Sequence, residues 1–566
     1  MSEAIQELLI NHARGLKNRA DLEMAKRAIC KRFKLKAILS SDILQEYRFL
    51  SATGKIAPIE LLEKILRKRS VRTLSGIAPV AVLTKPYPCP GTCAYCPHEK
   101  NVPASYLSNE PAVMRAIRCH YDPYTQVATR LQALENNGHE PTKIEIIVIG
   151  GTWSYLPVKY KYWYILNCFK AANDYEKIRK SFLKLSASDQ PPGMMEKAAK
   201  FKIDLQAAYK RNLSLEILRK NLKKEQKNNE TAKYKIIGLT LETRPDYINE
   251  TELKEMRELG ATRVEIGVQA VDDQILKLNK RGHDVAAIAA ATKLLKEYGF
   301  KITYHLMPAL PGATPTKDLS LFKKLFTDER FQPDQIKFYP TVVTKGSLLY
   351  RWYKQGKYQP YSDQILQELI VKCKAVVPKY VRIIRLIRDI PGESIVAGNK
   401  ITNLRQIMKD RGVKCNCIRC REVKDGKIGK HRINIIKYAA SGGQEYFISA
   451  DSQDGKTLYG FCRLRIDAAS PIAPAIIREL HVYGELVSLG GDKKVQHSGL
   501  GKKLLGAAEK IAKKELTASL KKEKKLKIKT NQKIAIISGV GVRGYYRKFG
   551  YKTENSYVVK VLVDKQ

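Results

Sequence analysis

The chain has 566 residues, of which 44% are hydrophobic and 28% are charged. This length and composition predict a globular protein of two or three domains and exclude an intrinsically disordered chain. The 102 Lys and Arg residues outnumber the 56 Asp and Glu residues, which gives a formal net charge of +46. Such an excess predicts an anionic partner, most often a nucleic acid, although a lysine-rich host proteome would produce the same charge.

The N-terminal segment from Met1 to Gly15 has no basic stretch followed by an apolar one, so it does not resemble a signal peptide. No apolar run approaches the roughly 20 residues of a membrane span. We therefore expect a cytoplasmic protein with no membrane partner. Thiols stay reduced in that compartment, so clustered cysteines are expected to bind metal rather than to form disulfides.

Residues 1–72 form a basic segment with apolar positions at helical spacing. It contains six basic residues and no acidic one within eleven positions: Lys26, Arg27, Lys31, Arg32, Lys34 and Lys36. A solvated helix face would explain scattered lysines, but a run without acidic neighbours favours contact with nucleic acid.

Residues 73–391 alternate short apolar strands with amphipathic helices, which predicts parallel βα units and an α/β fold with a full or partial barrel. The expected strands are Val80–Thr84, Ile144–Ile149, Ile236–Leu241, Arg263–Val268, Lys301–Met307 and Gln335–Tyr339. A long polar helical insertion is expected over Ala171–Lys233, with a loop at Asp189–Gly193.

Residues 392–431 have little apolar periodicity and contain a cysteine cluster, whereas residues 432–566 predict a further domain. The expected strands of that domain are Ile433–Ala439, Gln444–Ala450, Leu458–Arg465, Ile477–Leu486 and Ile534–Ser538. Helices are expected over Gly499–Lys514 and up to Phe549, and Lys510–Lys529 is rich in lysine.

Cys89, Cys93 and Cys96 form a C-x3-C-x2-C motif directly after the first predicted barrel strand. Three thiolates leave one iron of a [4Fe-4S] cluster without a protein ligand, and S-adenosylmethionine (SAM) binds such an open iron. Tyr95, between the last two cysteines, is expected to lie beside the adenine. A zinc knuckle is the alternative, but it needs four ligands and His98 alone follows nearby.

Polar residues and glycines follow the next predicted strands, at the edge of the barrel where active sites form. They are Gly150, Gly151, Thr152, Glu242, Arg244 and Gln269. The glycines permit a close approach of the SAM amino group, Glu242 offers acceptors for ribose hydroxyls, and Arg244 offers a partner for a carboxylate. An ordinary turn and a surface ion pair are the alternatives.

Two glycine motifs stand in the C-terminal region. Gln496, Gly499 and Gly501 give the pattern Q-x-x-G-x-G at the start of a helix, where bare N–H groups suit a pyrophosphate. About 45 residues on, Tyr546 to Tyr551 gives Tyr-x-x-x-Gly-Tyr, a closing signature of the GNAT-type N-acetyltransferase fold. Core packing is the alternative role for one of Tyr545 and Tyr546.

Several blocks together resemble the catalytic subunit of Elongator, a family that carboxymethylates the wobble uridine of tRNA. They are Arg72–Val80, Glu242–Tyr247, Phe338–Thr341, Arg388–Pro391, Glu479–Gly484 and Ser538–Arg543. The resemblance extends from Arg72 to Val561. It implies that SAM is cleaved, that the resulting radical takes hydrogen from the methyl of acetyl-CoA, that the carbon radical adds to C5 of uridine, and that thioester hydrolysis leaves 5-carboxymethyluridine.

The resemblance also implies residue roles. Lys143, Tyr545 and Tyr546 are expected in catalysis. Acetyl-CoA is expected to contact Lys143, Glu479, Leu480, His481, Val482, Leu500, Gly501, Lys502 and Tyr546. The chain departs from many members where Gly91 follows the first Cys-Pro and where His98-Glu99 follows the last, so the loop over SAM is expected to differ.

Cys415, Cys417 and Cys420 resemble the structural zinc site that this family has between its two catalytic domains. Cys373 or His431 is a candidate fourth ligand. Partner subunits or a homodimer are also compatible with the resemblance. Two other functions stay open: a protein lysine acetyltransferase that uses the barrel as a scaffold, and a tRNA-binding subunit without catalysis.

Overall fold

The computed structural model describes residues 1–67, 76–186, 208–423, 428–484, 499–522 and 532–562. Residues 1–67 form helices with a core of their own: α1 (Ser2–Glu7), α2 (Arg19–Arg32), α3 (Ser40–Ala52) and α4 (Glu60–Leu66). α2 begins where the Asn18 side chain accepts hydrogen bonds from the backbone N–H groups of Ala20 and Asp21. Arg48 donates to the Glu135 carbonyl at 2.8 Å and joins these helices to the rest.

A seven-stranded parallel sheet with strand order β1-β2-β3-β4-β5-β6-β8 forms the barrel. Its strands are β1 (Ala78–Leu83), β2 (Lys143–Ile149), β3 (Lys235–Thr243), β4 (Arg263–Gln269), β5 (Lys301–Leu306), β6 (Gln335–Phe338) and β8 (Arg382–Arg385). The six strands expected from the sequence are confirmed, and β8 was not predicted. A short antiparallel pair, β7 (Val343–Thr344) and β9 (Ile395–Ala397), lies beside the barrel.

Helices follow the strands of the barrel along the chain. They are α5 (Pro111–Arg118), α6 (Pro123–Glu135), α7 (Val158–Ser186), α8 (Leu215–Asn229), α9 (Glu250–Glu258), α10 (Asp273–Leu278), α11 (Val285–Glu297), α12 (Pro315–Thr327), α13 (Leu348–Lys354), α14 (Asp363–Val376), α15 (Leu404–Asp410) and α16 (Ile418–Arg421). α7 and α8 lie in the expected insertion, but the loop predicted at Asp189–Gly193 is outside the described residues. None of the helices in the described ranges is long and apolar enough to cross a membrane.

Buried and half-buried residues alternate along β2, so its two faces have different surroundings. Ile144, Ile146 and Val148 are buried against the helices, while Lys143 and Glu145 on the opposite face are half-buried. The helix-facing side supplies the apolar signal that predicts the strand. The inner face carries charged groups, which place a polar interior inside the barrel.

A second seven-stranded sheet, mostly antiparallel, has strand order β10-β11-β12-β13-β14-β16-β15. Its elements are β10 (His431–Ala440), β11 (Gly443–Ser452), β12 (Leu458–Ile466), β13 (Ala475–Val482), α17 (Leu500–Lys522), β14 (Lys533–Ile536), α18 (Arg543–Arg547), β15 (Lys552–Glu554) and β16 (Tyr557–Val561). β13 and β14 are the parallel pair. The five expected strands are present; β15 and β16 were not predicted. The lysine-rich stretch lies in α17 up to Lys522, and residues 523–531 are outside the described ranges.

The second sheet packs against the ends of the barrel where the parallel strands begin. Arg478 donates to the carbonyl of Phe300, directly before β5, at 2.7 Å. Arg463 donates to the carbonyl of Tyr380, just before β8, at 2.6 Å. The cysteine loop follows the opposite, C-terminal end of β1. The second sheet and the cysteine loop therefore lie at opposite ends of the barrel strands.

A buried ion cluster joins the two sheets around Asp334, which precedes β6 and is fully buried. Arg478 Nη2 lies 2.6 Å from Asp334 Oδ1, and Arg463 Nη1 lies 3.5 Å from the same oxygen. Arg478 also pairs with Glu445 at 3.1 Å. Burial alone would raise the pKa of Asp334, but Arg478 and Arg463 hold that pKa far below its ordinary value, so the carboxylate stays charged.

Replacing Asp334 with Asn keeps its shape and removes its charge, which leaves Arg463 and Arg478 buried without full compensation. We expect a loss of about 3–5 kcal/mol in the free energy of unfolding, measured by urea denaturation with tryptophan fluorescence. Glu554→Gln at the exposed Lys533 pair is the control and should leave the transition unchanged. Equal stability of the Asp334 variant and the natural chain would contradict a role for this cluster in holding the sheets together.

Candidate functional site

The cysteine loop follows β1 and is surrounded by two buried arginines. Cys93 is buried, Cys96 is half-buried and Cys89 is exposed. Arg281 Nη1 lies 3.3 Å from Cys93 Sγ, and Arg244 Nη1 lies 4.0 Å from it. A hydrogen bond from Cys96 and the charges of Arg281 and Arg244 lower the pKa of Cys93 to about 4 against the effect of burial. Cys93 is thus favoured as a thiolate, the form in which cysteine binds metal.

Backbone contacts with the end of α10 and the start of α13 fix the motif. The N–H of Ala94 donates to the Asn279 carbonyl at 3.0 Å, and the Leu349 N–H donates to the Ala94 carbonyl at 2.7 Å. A Cβ on Gly91 would collide with the Arg244 guanidinium. The glycine that departs from the pattern of many family members therefore makes room for Arg244 beside Cys93.

Unpaired buried polar atoms lie near this edge of the barrel within the described chain. The Tyr95 hydroxyl, the Trp153 indole N–H and Gln269 Oε1 are buried and have no hydrogen-bond partner. Buried polar groups are normally paired, so these atoms are suited to a polar ligand. With three cysteines and two arginines, this donor set fits a [4Fe-4S] cluster and SAM.

The glycines after β2 adopt backbone conformations that favour glycine, with φ of 129° at Gly150 and 106° at Gly151. A Cβ on Gly150 would collide with Thr84, whereas one on Gly151 would meet nothing within 4 Å. Thr152 precedes the short helical turn that begins at Trp153. The end of β2, where the sequence predicts that SAM binds, therefore has open space beside Gly151.

Glu242 and Arg244 are both engaged within the protein. Glu242 Oε2 accepts a hydrogen bond from the Tyr106 hydroxyl at 3.0 Å, and its Oε1 lies 3.4 Å from His305 Nδ1. Arg244 pairs with Asp246 at 2.8 Å and donates to the Arg281 carbonyl at 2.8 Å. The ribose and carboxylate contacts expected of Glu242 and Arg244 stay predictions.

A charged network inside the barrel was missed from the sequence. Glu265 is fully buried, with Lys337 Nζ in direct contact and His305 Nε2 at 2.9 Å. Arg263 pairs with Glu145 at 3.1 Å and lies 3.6 Å from Glu265. The signal was present: polar residues or glycine recur at every second position of β4, β5 and β6, and Lys143 and Glu145 alternate with isoleucine at the start of β2.

Lys143, expected to contact acetyl-CoA, stands at the first position of β2, beside Lys235 in the sheet register. Burial and then the charge of Lys235 lower its pKa. Glu479 on β13 pairs with Lys301 at 2.8 Å and with Arg463 at 3.1 Å. Lys301 is at the first position of β5. Lys143 and Lys301 therefore both lie at the end of the barrel that faces the second sheet.

The remaining acetyl-CoA candidates occupy β13 and the start of α17. Leu480, His481 and Val482 are half-buried, Leu500 is buried, Gly501 is half-buried and Lys502 is exposed. The ring of His481 is tilted against Tyr483, with centroids 4.3 Å apart. Gly499 has φ of 77°, a conformation that favours glycine, and Gln496 lies outside the described residues.

Tyr545 and Tyr546 take different positions. Tyr546 is 6% exposed and packs in the core of the second sheet, where burial raises its pKa. Tyr545 is 38% exposed, and a Cβ on Gly501 would come within 2.7 Å of its hydroxyl. Of the two tyrosines expected in catalysis, Tyr545 is therefore the one at the surface beside the start of α17.

Cys415, Cys417 and Cys420 have sulfur atoms within 4.8 Å of one another, and no further His, Cys, Asp or Glu of the described chain joins this group. Hydrogen bonds from Cys415 and Cys420 hold the pKa of Cys417 well below its usual range. Sulfurs bound to one tetrahedral zinc lie about 3.8 Å apart at a Zn–S distance of about 2.3 Å. The compact trio fits a single ion; neither Cys373 nor His431 completes it.

Two acidic residues, Glu23 and Glu7, partly neutralise the basic run from Lys26 to Lys36. Lys26 pairs with Glu23 at 3.1 Å, and Arg32 is in direct contact with Glu7. Arg27, Lys31, Lys34 and Lys36 are exposed. Four cations of the six thus remain directed at solvent.

The parallel half-barrel with its cysteine loop defines a radical SAM protein. Residues 87–323 match the family model described as Radical SAM superfamily, and residues 333–412 match the Radical_SAM C-terminal domain.

Curated relatives cover most of the chain. It is 42% identical over 514 residues to the tRNA uridine(34) acetyltransferase of Dehalococcoides mccartyi, covering 88% of this chain and 100% of the relative. It is 33% identical over 593 residues to human Elongator complex protein 3, covering 99% and 96%. The chain belongs to the family of the tRNA uridine(34) acetyltransferases and Elongator complex protein 3.

A solved structure agrees with this assignment. The archaeal Methanocaldococcus infernus Elp3 with an N-terminal deletion (1–46) is 35% identical, with a TM-score of 0.65, covering 86% of this chain and 99% of that one.

The segment after β14 packs so closely on β3 that it provides a test of the sheet arrangement. A Cβ on Gly539 would overlap the backbone carbonyl of Ile237, so Gly539→Ala should displace the second sheet and lower the thermal unfolding midpoint by several degrees. Gly544→Ala, whose Cβ would meet nothing within 4 Å, is the control and should keep or raise that midpoint. Equal midpoints for both variants would contradict the close contact at Ile237.

Proposed function

We propose that this protein installs a carboxymethyl group at C5 of the wobble uridine of tRNA, using SAM and acetyl-CoA. The cysteine loop carries the proposal, because three cysteines beside Arg244 and Arg281 form a site for an iron–sulfur cluster with an open iron. The names of the relatives support tRNA and uridine 34 as substrate. The product follows from the sequence resemblance to the Elongator catalytic subunit.

Cys89, Cys93 and Cys96 would hold the [4Fe-4S] cluster. When bound, the cluster and SAM supply a carbon-centred radical that abstracts hydrogen. Arg281 and Arg244 favour the thiolate of Cys93, and Gly150, Gly151, Thr152 and Gln269 line the strand ends where SAM would bind.

We also propose that residues 432–566 form a GNAT-type domain that binds acetyl-CoA without transferring its acetyl group to an amine. The start of α17 offers free N–H groups to a pyrophosphate, and Tyr545 stands beside it. Lys143 and Lys301 face this domain from the barrel, and Lys301 pairs with Glu479 of the domain. The acetyl group would thus reach the barrel from the end opposite the cysteine loop.

The trio Cys415, Cys417 and Cys420 is proposed to bind zinc in a linker of residues 392–431. Around it, Arg421 pairs with Asp451 of β11 at 2.7 Å and donates to the Lys379 carbonyl before β8 at 2.8 Å. The linker therefore contacts both sheets, and a metal ion there would stiffen the connection between residues 73–391 and the GNAT-type domain.

Residues 1–72 are proposed to contribute to tRNA binding through Arg27, Lys31, Lys34 and Lys36, whose side chains are exposed. The proposed substrate also places the protein in the cytoplasm, where tRNA is modified, with partner subunits or a second copy as candidate assemblies.

Replacing Cys89, Cys93 and Cys96 together with Ala should abolish 5′-deoxyadenosine formation and wobble-uridine modification. Both are measured by mass spectrometry after anaerobic incubation with SAM, acetyl-CoA, reductant and tRNA. Cys30→Ala in the N-terminal helices is the control and should retain both. Continued SAM cleavage by the triple variant would overturn the cluster assignment, and efficient acetylation of lysine peptides without SAM would favour the acetyltransferase alternative.

Replacing Cys417 and Cys420 with Ser should remove bound zinc, measured by elemental analysis of the purified protein, while iron per chain stays unchanged. Cys373→Ser is the control, because this buried thiol lies outside the trio and should retain the metal. If the double variant instead lost iron and kept zinc, the assignment of the two cysteine groups would have to be exchanged.

A further inference from the structure

The polar network inside the barrel has a histidine between two carboxylates. His305 on β5 is 7% exposed, with its Nε2 2.9 Å from Glu265 Oε2 and its Nδ1 3.4 Å from Glu242 Oε1. Glu265 is on β4 and Glu242 is on β3, so three adjacent strands bring the groups together. This arrangement of imidazole and carboxylates is that of an acid–base site.

Glu265 is held as a carboxylate and cannot donate a proton. Burial alone would raise its pKa, but Lys337, His305 and Arg263 keep that pKa well below the ordinary value. As an acceptor only, Glu265 requires that Nε2 of His305 carry hydrogen. The tautomer and the ring orientation of His305 are thereby fixed, as a buried carboxylate fixes a catalytic histidine elsewhere.

The other ring nitrogen then faces Glu242 across 3.4 Å. An imidazole nitrogen and a carboxylate oxygen that face each other in this way are placed to pass a proton between them. Glu242 has 20% of its side chain exposed, and its second oxygen accepts from the Tyr106 hydroxyl. The contact between His305 and Glu242 is therefore the accessible end of the network, whereas Glu265 is fully buried.

The network lies between the two proposed cofactor sites. Lys301, Thr303 and His305 share the inner face of β5, because alternate residues of a strand point to one side. Lys301 pairs with Glu479 of the second sheet, and Thr303 donates to Gln335 inside the barrel. From Lys301 to His305 the strand covers about 13 Å. His305 therefore lies on the inner face of β5 between the strand start beside Glu479 and the strand end nearer the cysteine loop.

We infer that His305 and Glu242 are the acid–base pair that hydrolyses the thioester after carbon–carbon bond formation, with Glu265 and Lys337 as positioning residues; this rests on the proposed function. A water molecule gives one proton to the pair as its oxygen bonds to the carbonyl carbon. The C–S bond then breaks, and the leaving sulfur takes a proton from the pair. The products are the carboxylic acid on uridine and free coenzyme A.

His305→Gln keeps a donor toward Glu265 but cannot exchange a proton. We expect free coenzyme A release and 5-carboxymethyluridine to fall by about 100-fold, with an acyl-CoA adduct accumulating on tRNA, while 5′-deoxyadenosine formation stays within twofold. His139→Gln is the matched control, since His139 is also buried but lies outside the barrel interior. Its rates should equal those of the natural chain.

The Glu265→Gln variant distinguishes a positioning role of Glu265 from a purely structural one. Without the carboxylate charge, the Nε2–H of His305 is held less firmly. The kcat of hydrolysis should therefore fall while the KM for the thioester stays unchanged. An unchanged kcat in Glu265→Gln, hydrolysis at the natural rate in His305→Gln, or a proportional loss of SAM cleavage and hydrolysis would each overturn the inference.

Failure of the proposed function is a separate result. If the natural chain forms no modified uridine with SAM and tRNA present, the proposed function fails. The inference is then decided by acetyl-CoA hydrolysis alone, followed as free thiol. A slower rate in His305→Gln but not in His139→Gln would support it, and the absence of hydrolysis in the natural chain would overturn it.

Discussion

The charge of Asp334 is the constraint on which the relation of the two sheets depends. A buried carboxylate requires compensation, and the compensating groups, Arg463 and Arg478, come from the second sheet. Ion pairs of this kind contribute little net stability compared with apolar packing, but they penalise every arrangement that leaves a charge unpaired. The second sheet is thereby directed to one end of the barrel, and the opposite end stays free for the cysteine loop.

The interior of the barrel, between its two ends, is lined by charged residues. Its inner face carries Arg263, Glu265, His305 and Lys337, all hydrogen-bonded or ion-paired within the barrel. A polar interior costs desolvation and is retained only when each member is satisfied. The network therefore links β4, β5 and β6 through their inner faces.

The sequence predicted the elements whose apolar face is regular and missed those that depend on distant partners. β2 and β5 show one apolar face and were found, whereas β8 has four residues with arginine at both ends and gives no periodic signal. The cysteine loop was predicted from its spacing alone. The difference between Tyr545 and Tyr546 was not, because adjacent residues on a short helix diverge only once the sheet beneath them is in place.

The buried charged groups between the two sheets were also not predicted from the sequence. Arg463, Arg465 and Arg478 look like surface residues of alternating strands, yet all three are fully buried. Their partners Asp334, Glu445 and Asp467 are identified only by the fold. The space left by Gly91 for Arg244 is likewise invisible in sequence, where the glycine reads as a departure from the family pattern.

The Asp334 cluster has a consequence for synthesis of the chain. Asp334 leaves the ribosome about 130 residues before Arg463, which at roughly 5–20 residues per second is a delay of about 7–26 s. During that interval β6 and β8 are completed, but the two arginines that pair with Asp334 are still missing. The nascent chain therefore carries an uncompensated carboxylate at the start of β6 until its own C-terminal sheet covers it.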